Sequence, residues 1–126
     1  MTPRNPASDA ALLRSLLGPT PPDCHEASPG NRTCGRLLAS TARLVEYVAA
    51  ALKDMPKTAE YEKVSTAVAE FRQSYESIEK TGCYTRQGKA LATEKTLRDL
   101  CTTFASVVAL AWLNLREAIG DLERAG

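Results

Sequence analysis

A chain of 126 residues with 44% hydrophobic and 25% charged side chains has the size of one domain and the composition of an ordinary globular fold. Its formal net charge of +1 supplies no overall field for gathering nucleic acid or anionic lipid, and its four cysteines are too few to declare a disulfide scaffold. Aromatic content is only 6%, and polar residues do not alternate with β-branched or aromatic ones, so an all-α domain is expected.

Six of the seven prolines lie within the first 29 residues, which divides the chain near residue 35. Ser8 is placed to cap a short helix over 9–17, closed by Gly18 and Pro19. Leu12, Leu13, Leu16 and Leu17 form its apolar face. So short a helix does not hold alone in water and needs a surface to dock on. The same four-leucine patch, broken by Arg14 and Ser15, is too short for the apolar region of a secretory signal, and none is expected.

Residues 18–35 form a long connection rich in Pro, Gly and Ser. Long loops in compact domains are functional, covalently pinned or mobile. Cys24 and Cys34 stand near its ends, a spacing that a disulfide closes readily; this is the candidate pairing, although four cysteines permit three pairings and the sequence does not choose among them. Cys83 reaches Cys101 only if the last helix folds back over the turn that carries Cys83. Cys24, His25 and Cys34 also make a three-ligand set, but structural zinc takes four ligands in close pairs, and no metal is expected. Asn31-Arg32-Thr33 matches the N-glycosylation acceptor pattern.

Beyond residue 35 the periodicity turns helical. Leu38, Ala42, Val45, Ala49 and Leu52 recur at 4, 3, 4, 3 on a helix over 33–53. Asp54-Met55-Pro56-Lys57 interrupts it, because the residue before proline is pushed out of the α region. Tyr61, Val64, Val68, Phe71, Tyr75 and Ile78 then mark a second long helix over 59–80, capped by Thr58 and ended by Gly82. The short link makes the two helices antiparallel neighbours. A third long helix begins near Lys89 or at a cap on Thr93 and runs to about Arg124. Its seam is Leu97, Cys101, Phe104, Val108, Ala111, Leu115, Ala118 and Leu122. The expected fold is an antiparallel up-down helical bundle of three long helices (36–126) plus the short N-terminal helix and Pro-rich loop (1–35), as one folding unit.

This last helix contains LCTTFASVVALAWLNL, residues 100–115, without charge, glycine or proline. Sixteen such residues fall short of the roughly 20 that a membrane span needs, so a spanning helix is not expected. They also exceed what one seam requires. Leu100, Ala105, Val107, Ala109, Leu110, Trp112 and Leu113 form a candidate partner surface outside the main seam. Either the leucine face of the N-terminal helix folds back onto it, which is the expectation, or it receives another protein.

Chemistry-bearing residues are sparse. The one histidine, His25, lies in the loop, and there is no glycine-rich phosphate loop, HExxH or GxSxG. Acidic residues are read as solvent-facing, so no catalytic residue and no cofactor are assigned. Lys80, Arg86, Lys89, Lys95 and Arg98 give a local basic excess that Glu79, Glu94 and Asp99 dilute, and no nucleic acid partner is expected. Tyr61, Phe71 and Tyr75 are read as core.

The layout from Leu44 through the Met55-Pro56-Lys57 break to Val108 resembles that of PsbQ-type lumenal subunits of photosystem II, up-down bundles with a proline-rich N-terminal segment. That resemblance implies a non-catalytic extrinsic subunit docking on a membrane complex. The run from Phe71 to Tyr75 and on through Glu79 to Cys83 is similar in wording to one helix end of short-chain four-helix cytokines. Their topology needs a long crossover after it, and here about eleven residues separate Gly82 from Thr93. The functional expectation is a non-catalytic bundle acting through protein–protein interaction, as subunit or adaptor of a larger assembly. Its alternative is a secreted or lumenal disulfide-containing bundle, either an extrinsic subunit or a four-helix ligand.

Overall fold

A computed structural model describes residues 5–24 and 26–126, and among these it contains five α-helices and no strand. They are α1 (Pro6–Leu17), α2 (Arg32–Leu52), α3 (Ala59–Thr81), α4 (Gly88–Leu91) and α5 (Lys95–Ala125). His25, the histidine of the candidate zinc set, lies outside the described residues.

Local chemistry sets the helix ends. Asn5, not Ser8, caps α1: its side chain accepts the Ala7 N–H at 2.9 Å, and Pro6 takes the first position, where a missing N–H costs nothing. Asn31 caps α2 by accepting the Cys34 N–H at 2.9 Å. Gly82 ends α3 in the left-handed region at φ 73°, its N–H shared between the Ile78 and Glu79 carbonyls. The start of the last helix is split. A single turn, α4, runs from Gly88, and the chain unwinds through extended Glu94 before α5 begins.

α3 packs against α5 along the longest shared surface, α1 lies on α5 and α2, and α2 meets α3. The core contains Leu38, Val45 and Val48 of α2, Val64 and Phe71 of α3, and Val108, Trp112 and Leu115 of α5. Ala10, Leu13 and Leu17 of α1 are buried in that same core, while Leu12 turns outward. At one end Tyr61 donates a 2.6 Å hydrogen bond to Asp9 across 52 positions of sequence. Asp9 is buried, which departs from the reading of every carboxylate as solvent-facing.

The other end is tied by covalent and backbone links. Cys24 is bonded to Cys34, with Cα atoms 5.7 Å apart, and Cys83 to Cys101 at 5.6 Å. The Tyr84 hydroxyl donates to the Cys24 carbonyl at 3.1 Å, and the Gly30 N–H donates to the Cys83 carbonyl at 2.8 Å. Gly88 sits where those backbones meet: a Cβ there would run into the Cys83 carbonyl oxygen and the Gly30 nitrogen. The loop, the start of α2, the turn after α3 and the start of α5 therefore converge at one pole.

Candidate functional site

α5 is 31 residues long, and its buried and exposed sides separate cleanly. Cys101, Ala105, Val108, Ala111, Trp112, Leu115 and Ile119 are buried. Of the seven residues expected to form one partner surface, Ala105 and Trp112 are therefore core, and Ala109 is half-buried. Arg116 lies over the Trp112 ring, 5.7 Å from its centroid, and the indole Nε1 has no hydrogen-bond partner. The remaining four stay exposed, Leu100 by 39%, Val107 by 44%, Leu110 by 57% and Leu113 by 50%.

These four share the outer face with Thr102, Thr103, Ser106 and Asn114, so the face carries no charge between Asp99 and Arg116. Leu100, Thr103, Val107, Leu110 and Asn114 recur at 3, 4, 3, 4, the spacing of a helix–helix seam, over about 20 Å. The outer faces of the other long helices carry charge instead, including the Arg72–Glu46, Lys63–Glu60 and Lys80–Glu76 pairs. Lys95 pairs with Asp99, so two of the five basic residues near this end are already engaged with carboxylates.

By length and composition alone, α5 reaches what a membrane crossing requires, with a mean hydropathy of 1.2 over its most apolar 18 residues. One side of the helix is covered by protein: Cys101 is joined to Cys83, and Val108, Trp112 and Leu115 are fully buried.

A second concavity lies between α2 and α3. α2 contributes small residues (Gly35, Ala39, Ala42) where α3 contributes Phe71, Tyr75 and Ile78, and two adjoining cavities of about 390 and 470 Å³ result. Arg72 closes one part of the cleft, donating twice to Glu46 at 2.6 Å from Nε and Nη2. Those bonds hold the Glu46 carboxyl below its ordinary range and raise Arg72 further. Burial raises the Tyr75 phenol, and the nearby Glu79 adds to the effect; burial alone raises Tyr84. Phe71 and Tyr75 stack along this wall with ring centroids 6.4 Å apart. The sequence reading took Tyr75 for core, whereas its ring forms part of an open cleft. The signal available in the sequence was the run of small residues at 35, 39 and 42, facing the seam of bulky ones.

Among the described residues, no cluster of three or more His, Cys, Asp or Glu is arranged to hold a metal ion. No family model, no curated protein and no solved structure matches the chain.

Proposed function

We propose that this chain is a non-catalytic helical bundle that works by docking the uncharged outer face of α5 against another protein, as a subunit of a larger assembly in an oxidising compartment. The observation that carries the reading is the exposure of Leu100, Val107, Leu110 and Leu113 together on a face without charge. An uncharged strip at helix-seam spacing, with Leu100, Val107 and Leu110 on it and Leu113 beside it, is what a partner helix buries, and burial of such side chains supplies the free energy of docking. Isolated exposed leucines would carry no such argument.

The arrangement proposed is an antiparallel up-down bundle in which α1 supplies a short fourth helix. Residue pairs support it. Glu46 meets Arg72 while Ala39 shares a cavity with Glu79, and Cys83 meets Cys101 while Glu70 and Asn114 line one pocket. Each pair of neighbours thus runs in opposite senses. Burial of α1 in the common core supports residues 1–35 and 36–126 as one folding unit. A membrane span is not part of the proposal, because one side of α5 is already committed to α3 and α1.

Two disulfides in so small a domain favour the secreted or lumenal alternative for compartment, since such bonds persist where the surroundings oxidise. Non-catalytic action is supported by the placement of charged side chains in solvent-facing pairs.

The test uses a photo-crosslinking benzoylphenylalanine at position 110 and, separately, at position 76 on the charged face of α3, in cells that make the protein. A discrete adduct from position 110 alone, lost when Val107→Glu is added, is the expected result. Adducts of equal yield from both positions, or none from 110, would overturn the reading.

A further inference from the structure

The α2–α3 cleft is independent of the α5 face and has its own chemistry. Its floor is apolar, made by Leu38, Ala39, Phe71 and Ile78, and its volume falls in the range of small-molecule sites. A partner helix, about 10 Å across, does not fit along it, because the Glu46–Arg72 ion pair crosses between the two walls. The open length from Arg32 to Glu46 is about 20 Å at the helical rise per residue. That shape suits an elongated, flexible chain.

Charge selects the head of such a ligand. Arg32, Arg36 and Arg43 stand along the α2 rim, and none of them has an ion pair among the described residues. Glu76 on the facing wall is held by Lys80 and Glu46 on α2 itself by Arg72, which leaves Glu79 as the one lining carboxylate without an ion pair among the described residues. Three unmatched guanidinium groups against one carboxylate make the cleft cationic in a chain whose net charge is only +1. Guanidinium forks bind carboxylate and phosphate oxygens in pairs, while the apolar floor offers those anions nothing. The ligand must therefore combine an acid with a hydrocarbon.

We propose that the α2–α3 cleft binds a single-chain amphiphile with one anionic head, the head held by Arg32 and Arg36 and the hydrocarbon laid along Ala39, Ala42 and the Tyr75 ring, over the buried Leu38, Phe71 and Ile78. Carboxylate and phosphate heads share this chemistry, and the natural ligand carries one of them. Ala39 and Ala42 leave the space that the hydrocarbon takes, whereas Gly35 is small because the Tyr84 carbonyl oxygen lies against it.

The test is calorimetric titration of the oxidised full-length protein with dodecanoate, dodecyl phosphate and dodecyltrimethylammonium, each kept below its micelle-forming concentration. Both anions are expected to bind at one site, and the cation at least about tenfold more weakly. The tighter of the two anions identifies the head. Arg36→Glu is expected to weaken the anions about tenfold, and Ala39→Phe to remove binding by filling the floor. Leu110→Glu, on α5, should leave both anions unchanged. Arg36 is solvent-exposed, so its variant keeps the fold, which circular dichroism checks. Equal binding of anion and cation, absence of binding, or indifference to Arg36→Glu would overturn the assignment. So would loss of binding in Leu110→Glu with Ala39→Phe silent, which would place the hydrocarbon on α5.

Discussion

The Tyr61 hydroxyl donates to the Asp9 carboxylate at 2.6 Å, and through that bond a 12-residue helix that does not stand alone is fastened to α3. Both side chains are buried, so the bond is shielded from water. Tyr61→Phe removes the donor and should destabilise the fold by about 2 kcal/mol, the usual worth of a hydrogen bond to a charged group. Urea unfolding followed by circular dichroism gives the number. A loss near zero would mean that α1 is held by the burial of Ala10, Leu13 and Leu17 and not by this bond.

The outer and inner sides of α5 should respond differently to substitution. Trp112 is fully buried, and Trp112→Ala should cost about 3–5 kcal/mol through the cavity it leaves. Trp112→Phe should cost much less than its lost volume suggests, because it also deletes an indole N–H with no partner. Leu113→Glu should change stability by no more than about 0.5 kcal/mol. Equal losses for Trp112→Ala and Leu113→Glu would contradict the burial of Trp112 beside an exposed Leu113.

Alkylation without reductant should find no free thiol, since all four cysteines are bonded. Replacing Cys83 and Cys101 together by serine should cost about 3 kcal/mol, and replacing Cys24 and Cys34 slightly less, because the loop closed is shorter. In a domain of this size each loss corresponds to a fall in Tm of roughly 10 °C. Four alkylated thiols in protein from its natural source would instead indicate a reducing compartment.

Acid and alkali should weaken the fold through different residues. The Arg72 hydrogen bonds depress the Glu46 pKa on folding, so their contribution is present above about pH 4.3 and fades as pH falls through the folded value. Both partners are half in solvent, so Glu46→Gln should flatten the acid limb by only about 0.5 kcal/mol. Tyr75 and Tyr84 are raised by burial, so their contribution is present below about pH 10 and is lost as pH rises through their folded values. Tyr84→Phe should flatten the alkaline limb and, by losing the bond to the Cys24 carbonyl, lower stability at neutral pH by about 1 kcal/mol. Unfolding midpoints across the pH range for wild type and both variants test each sign.

Helical periodicity and the punctuation of Pro56 and Gly82 made the long helices readable, because apolar seams and backbone restrictions are local properties. Local sequence was less decisive where two caps compete: Ser8 and Asn5 both suit a helix start, and only Asn5 is followed at once by proline. Burial of Asp9 was not readable, since its partner lies 52 positions away. The exposed strip on α5 was legible as surplus apolar surface, but which residues α1 would cover was not. Ala105 and Trp112 face the core, while Val107 and Leu110, only a few positions away, face out. The α2–α3 cleft escaped for a related reason. A seam pattern reports that residues face inward, and it is silent on whether the side chains opposite are large enough to meet them.

Both disulfides, the Tyr84–Cys24 bond and the Gly30–Cys83 bond sit at the same pole, while the opposite pole, with Asp9, Tyr61 and the 53–58 turn, has no disulfide. The cross-links are thus gathered at one end of the fold. Thermal opening has somewhere to start and somewhere to stop, so amide exchange should grade along α2 and α3, fastest towards residues 52 and 59 and slowest beside Cys34 and Ile78. A protease that nicks the 53–58 turn would leave two pieces that remain joined only by packing, because neither disulfide bridges that cut.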